Sequence, residues 1–163
     1  MNIISPARKS KRAEWILLMI VILMSVIGLV SYLLKDSADK KLASYKQRGN
    51  EYLMKDNYIG AKKEFEKAIK LDPENLVLYF QLAEACIGLE NYSNAAGYLE
   101  QAITIAVDGP MDKERYESLV IKLAECYRIT GEELKREELL RNSQKLIDSQ
   151  RIKELLMEKL MNY

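Results

Sequence analysis

The apolar and polar positions of this chain fall into two regimes. From residue 15 to residue 34 no position is charged, and only Ser25, Gly28, Ser31 and Tyr32 interrupt the apolar run. As a helix rising about 1.5 Å per residue, such a stretch spans roughly 30 Å, the hydrocarbon thickness of a bilayer. Trp15 and Tyr32 stand near its two ends, as interfacial aromatics do. After residue 41 apolar residues recur every three or four positions, the signature of amphipathic helices. Leu42, Tyr45, Gly49, Tyr52 and Leu53 define one face, and Ala61, Phe65, Ala68 and Ile69 define a second, with Lys55-Asp56-Asn57 as the turn between them. Asp56 or Asn57 is placed to accept the free N–H groups of the second helix. Asp72-Pro73 supplies a cap and a first-turn proline for the helix that follows.

This helix-turn-helix recurs. Tyr79, Leu82, Ala83, Asn91-Tyr92, Ala95, Leu99 and Ala102 occupy the positions of Tyr45, Arg48, Gly49, Asn57-Tyr58, Ala61, Phe65 and Ala68, a period of 34 residues. The run Tyr45, Gly49, Tyr52, Ala61, Phe65, Ala68 and Pro73 resembles a tetratricopeptide repeat, with aromatic, small and proline residues at that family's positions. The resemblance implies an all-α fold in which Gly49 and Ala61 let paired helices approach closely and Ala68 admits the next repeat. The expected architecture is an N-terminal transmembrane helix followed by an α-solenoid of about three helix-turn-helix repeats and a C-terminal capping helix. Its parts are a basic cytoplasmic tail at 1–14, irregular through residue 11, the span at 15–34, a charged link at 35–41, repeats at 42–75, 76–109 and 110–148, and the cap at 149–163. The third repeat is degenerate. Leu123-Ala124 and Tyr127 fit its first helix only when the frame restarts near Glu117, so residues 110–116 are expected to add about two helical turns and to offer Met111, Arg115 and Tyr116 as a ledge. In its second helix Arg136 and Ser143 stand where small apolar residues are expected, which predicts looser packing at a terminal unit. Ile152, Leu155, Leu156 and Leu160 continue at helical spacing as the capping helix.

Composition changes this picture mainly by exclusion. The chain contains no His, which removes His-based acid–base chemistry, Ser-His triads and most catalytic metal sites, so a non-enzyme without cofactor or metal is expected. Cys86 and Cys126 lack the paired spacing of a zinc site and fall on neighbouring packed helices, where buried thiols are expected in place of a disulfide. Net charge is close to zero, at +1, and the repeats carry no basic excess that would bind nucleic acid. Arg8, Lys9, Lys11 and Arg12 closely precede the span, whereas Lys35, Lys40 and Lys41 follow it interleaved with Asp36 and Asp39. That bias favours a single span with the N-terminus in the cytoplasm and the repeats on the far side. A cleaved signal peptide is the competing reading. The apolar core exceeds the usual length of a signal's apolar region, and only Tyr32-Leu33-Leu34-Lys35-Asp36 follows it, without a small-residue cleavage site.

In stacked repeats the first helix of each unit lines the concave wall, so positions there not used for packing face a ligand. These are Lys46, Asn50, Phe80, Gln81, Glu84, Ile121, Lys122, Glu125 and Arg128. Lys46 and Asn50, one helical turn apart, resemble the opening of the carboxylate clamp with which some members of the family hold the C-terminus of a heat-shock chaperone. Gln81 stands where that clamp has an Asn and Lys122 where it has a basic residue. Ser118 replaces its other cation, and a domain outside the cytoplasm would not meet those chaperones, so ordinary solvated polar residues are the favoured reading of this set. Protein or peptide partners follow from the resemblance, with a role in assembly, secretion or quality control at the cell envelope. The alternative is a structural subunit of a stable membrane complex.

Overall fold

A computed structural model describes residues 6–109 and 112–161, with side-chain surroundings for 14–109 and 112–157. Seven helices and no strand occur among the described residues: α1 (Pro6–Leu53), α2 (Tyr58–Ile69), α3 (Leu76–Gly88), α4 (Tyr92–Asp108), α5 (Lys113–Thr130), α6 (Glu133–Leu146) and α7 (Gln150–Met161). Two compact units divide the chain, residues 1–41 and residues 42–163.

In the first unit α1 begins at Pro6, a residue suited to a first helical turn because the missing N–H has no intrahelical partner there. The expectation of an irregular tail through residue 11 is therefore corrected for 6–11, and residues 1–5 lie outside the described residues. The apolar side chains of 15–34 are exposed, Trp15 at 68% and Leu34 at 66%. The helix is long and apolar enough to cross a membrane, a property that a signal sequence shares. The charged stretch at 35–41, expected as a separate link, is helical. No Gly or Pro lies between Gly28 and Gly49 to end the helix, and Lys40 bonds Asp36 one turn earlier at 2.7 Å.

The second unit is built from helix pairs. Ala61, Phe65, Ala68, Ala83, Ala95, Leu99 and Ala102 are each fully buried, and a methyl added at Gly49 would lie 2.5 Å from the Phe65 ring. These small residues bring the helices together as the repeat pattern predicts. Each turn within a pair closes on a left-handed residue. Asp56 and Glu90 have φ of 53° and 57° and lie 34 residues apart, while Gly131, at 78°, lies 41 residues further on. The seven surplus residues thus fall between the second and third turns. The asparagines after the first two turns cap the next helices: Asn57 Oδ1 accepts from Gly60 N–H at 2.9 Å and Asn91 Oδ1 from Asn94 N–H at 3.2 Å. Helix α3 is not capped by Asp72-Pro73 as expected. It starts at Leu76, where Asn75 Oδ1 accepts from Val77 N–H at 3.1 Å and Asp72 in turn accepts from the Asn75 amide at 2.8 Å.

The surplus is divided between two helices. Helix α4 has 17 residues against 12 in α2, and α5 has 18 against 13 in α3. Asp112 caps α5 through Arg115 N–H at 3.1 Å, so α5 begins at Lys113, one turn ahead of the repeat frame. The expected two-turn ledge is corrected accordingly. Met111 lies outside the described residues, and Tyr116 is buried at 3% exposure with its hydroxyl 3.2 Å from Ser143 Oγ. That contact also overturns the expectation of loose packing in the third repeat. Ser143 is completely buried, and the nearly buried Arg136 pairs with Glu133 at 3.3 Å. Helix α7 is separate from α6. Ser149 Oγ donates to Glu117 at 2.5 Å and accepts from Ile152 N–H at 3.1 Å, and Ile147 and Ile152 enter the core.

Candidate functional site

Four of the polar residues singled out on α1, α3 and α5 meet in pairs across helices, Asn50 with Gln81 and Glu84 with Lys122. The Gln81 amide on α3 donates to Asn50 Oδ1 on α1 at 2.6 Å, which fixes the Asn50 amide and leaves its own N–H group available. Lys46, one turn before Asn50 and half-buried, has no ion-pair partner among the described residues. The Gln81 carbonyl oxygen is buried with no hydrogen-bond partner. A free ammonium and an oriented amide on one helical face make a place for a carboxylate.

The next pair works against a second anion site. Lys122 Nζ on α5 donates to Glu84 on α3 at 3.0 Å and lies 5.1 Å from the centre of the Phe80 ring. Its charge is matched by Glu84, and the ammonium lies over the face of the Phe80 ring. Glu125 and Arg128 also pair, through Arg128 Nε at 2.8 Å, and this bond holds the Glu125 carboxyl below its ordinary pKa against the opposing effect of burial. Ile121 is half-buried on α5. The structure therefore joins Asn50 to Gln81, Phe80 and Glu84 to Lys122, and Glu125 to Arg128, while Lys46 stays unpaired.

Sequence reasoning missed the cleft beside this row. Leu76, Val77 and Phe80 of α3 and Arg115, Ser118 and Leu119 of α5 enclose about 320 Å³. Val77 precedes Gln81 by one helical turn, so the cleft adjoins the Asn50–Gln81 pair. The signal that could have found it is the seven-residue surplus, because Arg115 belongs to the part of α5 outside the repeat frame. Cys86 and Cys126 are free and buried, and burial pushes both thiols above their ordinary pKa. Among the described residues no three His, Cys, Asp or Glu side chains converge as metal ligands.

The fold is an all-α arrangement of helix pairs that is tetratricopeptide-like. The sequence model of the tetratricopeptide repeat family matches residues 52–126, and solved repeat domains share the fold, which together support that family. The N-terminal domain of stress-induced protein-1 from C. elegans is similar, with a TM-score of 0.67 at 16% identity over 74% of this chain and 94% of that one. The TPR2B domain of yeast Sti1, in its pHsp70 complex, has a TM-score of 0.58 at 21% identity over 76% and 99%. The second TPR domain of human RPAP3, solved with the HSP70 peptide SGPTIEEVD, has a TM-score of 0.60 at 18% identity over 74% and 96%. At these identities the likeness is one of fold alone. No curated protein sequence matched the chain.

Proposed function

We propose that this chain is a non-enzymatic, membrane-anchored scaffold whose first-helix face binds an extended peptide or protein segment. The observation that carries this reading is the unpaired Lys46 beside an Asn50 amide already oriented by Gln81. Buried or half-buried polar groups are ordinarily matched within the fold; here Lys46 and the Asn50 N–H groups suit a carboxylate from a partner, and the buried Gln81 carbonyl oxygen suits a donor such as a backbone N–H. The similar yeast and human domains were solved with bound Hsp70 peptides, which supports a peptide as the kind of partner. The apolar stretch at 15–34 supports a single span, and the basic residues ahead of it support a cytoplasmic N-terminus with the repeats on the far side. A role at the cell envelope, in assembly, secretion or quality control, follows from that placement.

The test pairs Lys46→Glu with Asn50→Ala in the full chain, purified from detergent-solubilised membranes. Loss of the bound partner at an unchanged melting temperature is the expected result. Retention of the partner by the double variant would move binding to another face.

A further inference from the structure

Helix α4, the second helix of its pair, carries little charge. Its 17 residues include two charged ones, Glu100 and Asp108, against five of 12 in α2 and seven of 14 in α6. Glu100 is already engaged, accepting from the Tyr127 hydroxyl at 2.5 Å. The solvent side of an amphipathic helix ordinarily carries charged and polar residues together, and along most of α4 only neutral polar ones remain. Several of these converge. Ser93, Asn94, Gly97, Tyr98 and Gln101 of α4, with Tyr79 of α3, line a cleft of about 350 Å³. The side chains of Ser93, Asn94, Gln101 and both tyrosines make no hydrogen bond among the described residues, so five hydrogen-bonding groups open onto one cleft without internal partners. Lys62 and Glu66, the charges that act on Tyr98, pair with each other at 3.0 Å. Burial raises the Tyr98 pKa, which keeps its hydroxyl a neutral donor.

Gly97 is exposed in the interior of α4, where only proline is less favourable than glycine. A methyl added there would meet nothing within 4 Å, so no contact inside the protein requires the glycine. Its bare backbone gives a ligand from outside a close approach. We propose that this cleft binds a neutral saccharide, with a sugar ring lying over Gly97 and against the tyrosine side chains. A sugar ring offers C–H groups to aromatic faces and hydroxyls that both donate and accept, which the amides of Asn94 and Gln101 and the hydroxyls of Ser93, Tyr79 and Tyr98 complement. A charged ligand would find no free countercharge here, and an apolar one would leave the amides unpaired. Small-molecule sites have volumes of roughly 300 to 1,000 Å³, and this one, at the lower end, suits one or two sugar rings. The site lies on α4 and is separate from the first-helix face proposed for a peptide.

The experiment titrates cellotetraose, maltotetraose and chitotetraose into the full chain by calorimetry, in a detergent without a sugar headgroup. At least one is expected to bind with a Kd of about 1 mM or tighter. The Lys46→Glu, Asn50→Ala variant should bind it equally well. Gly97→Leu fills the floor of the cleft where space is free, and Asn94→Ala combined with Gln101→Ala removes both amides. Each should weaken binding about tenfold or more. Thermal melts verify the fold, and Gly97→Leu should melt higher than the parent because leucine is the better helix former. Absence of binding by all three sugars, or binding unchanged in both cleft variants, would overturn the saccharide site and leave the peptide-binding face standing. Self-association of the parent that Gly97→Leu abolishes would assign this face to a second copy of the chain and overturn the saccharide reading.

Discussion

Ala61, Ala95 and Gly49 sit where helices nearly touch, and their smallness could be read from the sequence because side-chain volume is a property of the residue itself. Replacing fully buried Ala61 by Leu should lower stability by about 1 to 3 kcal/mol, since the contact has no room for the added carbons. A thermal or urea melt measures it, and an unchanged midpoint would contradict the helix register. Glu64 was not legible in the same way. In sequence it stands in the charged stretch Lys62-Lys63-Glu64, yet it is 7% exposed, because Arg48 reaches it from α1 at 2.8 Å and Lys67 bonds its other oxygen. Burial raises the Glu64 pKa, and the hydrogen bonds from Lys67 and Arg48 lower it by more, so the carboxyl lies below its ordinary value. A depressed pKa contributes stability that is complete above the unfolded-state value, roughly 4.3, and is lost as pH falls through the folded-state value. Glu64→Gln should thus be less stable than the parent at pH 7, and the gap in urea midpoint should narrow between pH 5 and pH 3. A gap independent of pH would show that Glu64 is not ion-paired in solution.

Helix boundaries depended on caps more than on periodicity. Asn57 and Asn91 mark their helices plainly, but Asn75 takes the cap expected of Asp72-Pro73, because its side chain lies within reach of Val77 N–H. The seven surplus residues were visible as a frame shift. Their division between α4 and α5 was not, since an apolar period is silent about which of two adjoining helices absorbs an insertion. Nor did the charges at 35–41 mark a break, because alternating Asp and Lys support a helix through pairs one turn apart. The buried Tyr116–Ser143 contact ties α5 to α6 and gives an element-scale prediction. Tyr116→Phe and Ser143→Ala should each cost about 1 kcal/mol, and the double variant less than the sum, because removing one partner leaves the other unsatisfied. Strict additivity in urea melts would show that the hydroxyls do not interact. Similarly, Ser149→Ala removes both the Glu117 bond and the N–H acceptor at the start of α7. It should cost about 1 kcal/mol and speed amide exchange in α7 ahead of the rest of the domain.

At the scale of the whole molecule, the sequence was most informative about architecture, and the structure added the pairing that makes a site. Fold class followed from a 34-residue period of helical apolar spacing, whereas the Asn50–Gln81 and Glu84–Lys122 bonds link residues 31 and 38 positions apart and depend on how neighbouring repeats stack. Lys122, expected as a ligand-facing cation, is paired with Glu84, and the early start of α5 adds Arg115 to the lining of the cleft. The proposed topology makes its own prediction. A membrane-impermeant thiol reagent applied to intact cells should miss a Cys placed at Ser5 and reach one placed at Asn162, and the reverse pattern would put the repeats in the cytoplasm. The central claim, that an anchored chain presents its first-helix face to another protein, is tested most directly by photo-crosslinking in intact membranes. A photoreactive residue at Ile121, on that face, is compared with one at Gln101 on α4. The account predicts discrete protein adducts from position 121 that disappear with Lys46→Glu, and none from position 101. Adducts from position 101 alone, or adducts from position 121 that are indifferent to Lys46, would contradict it.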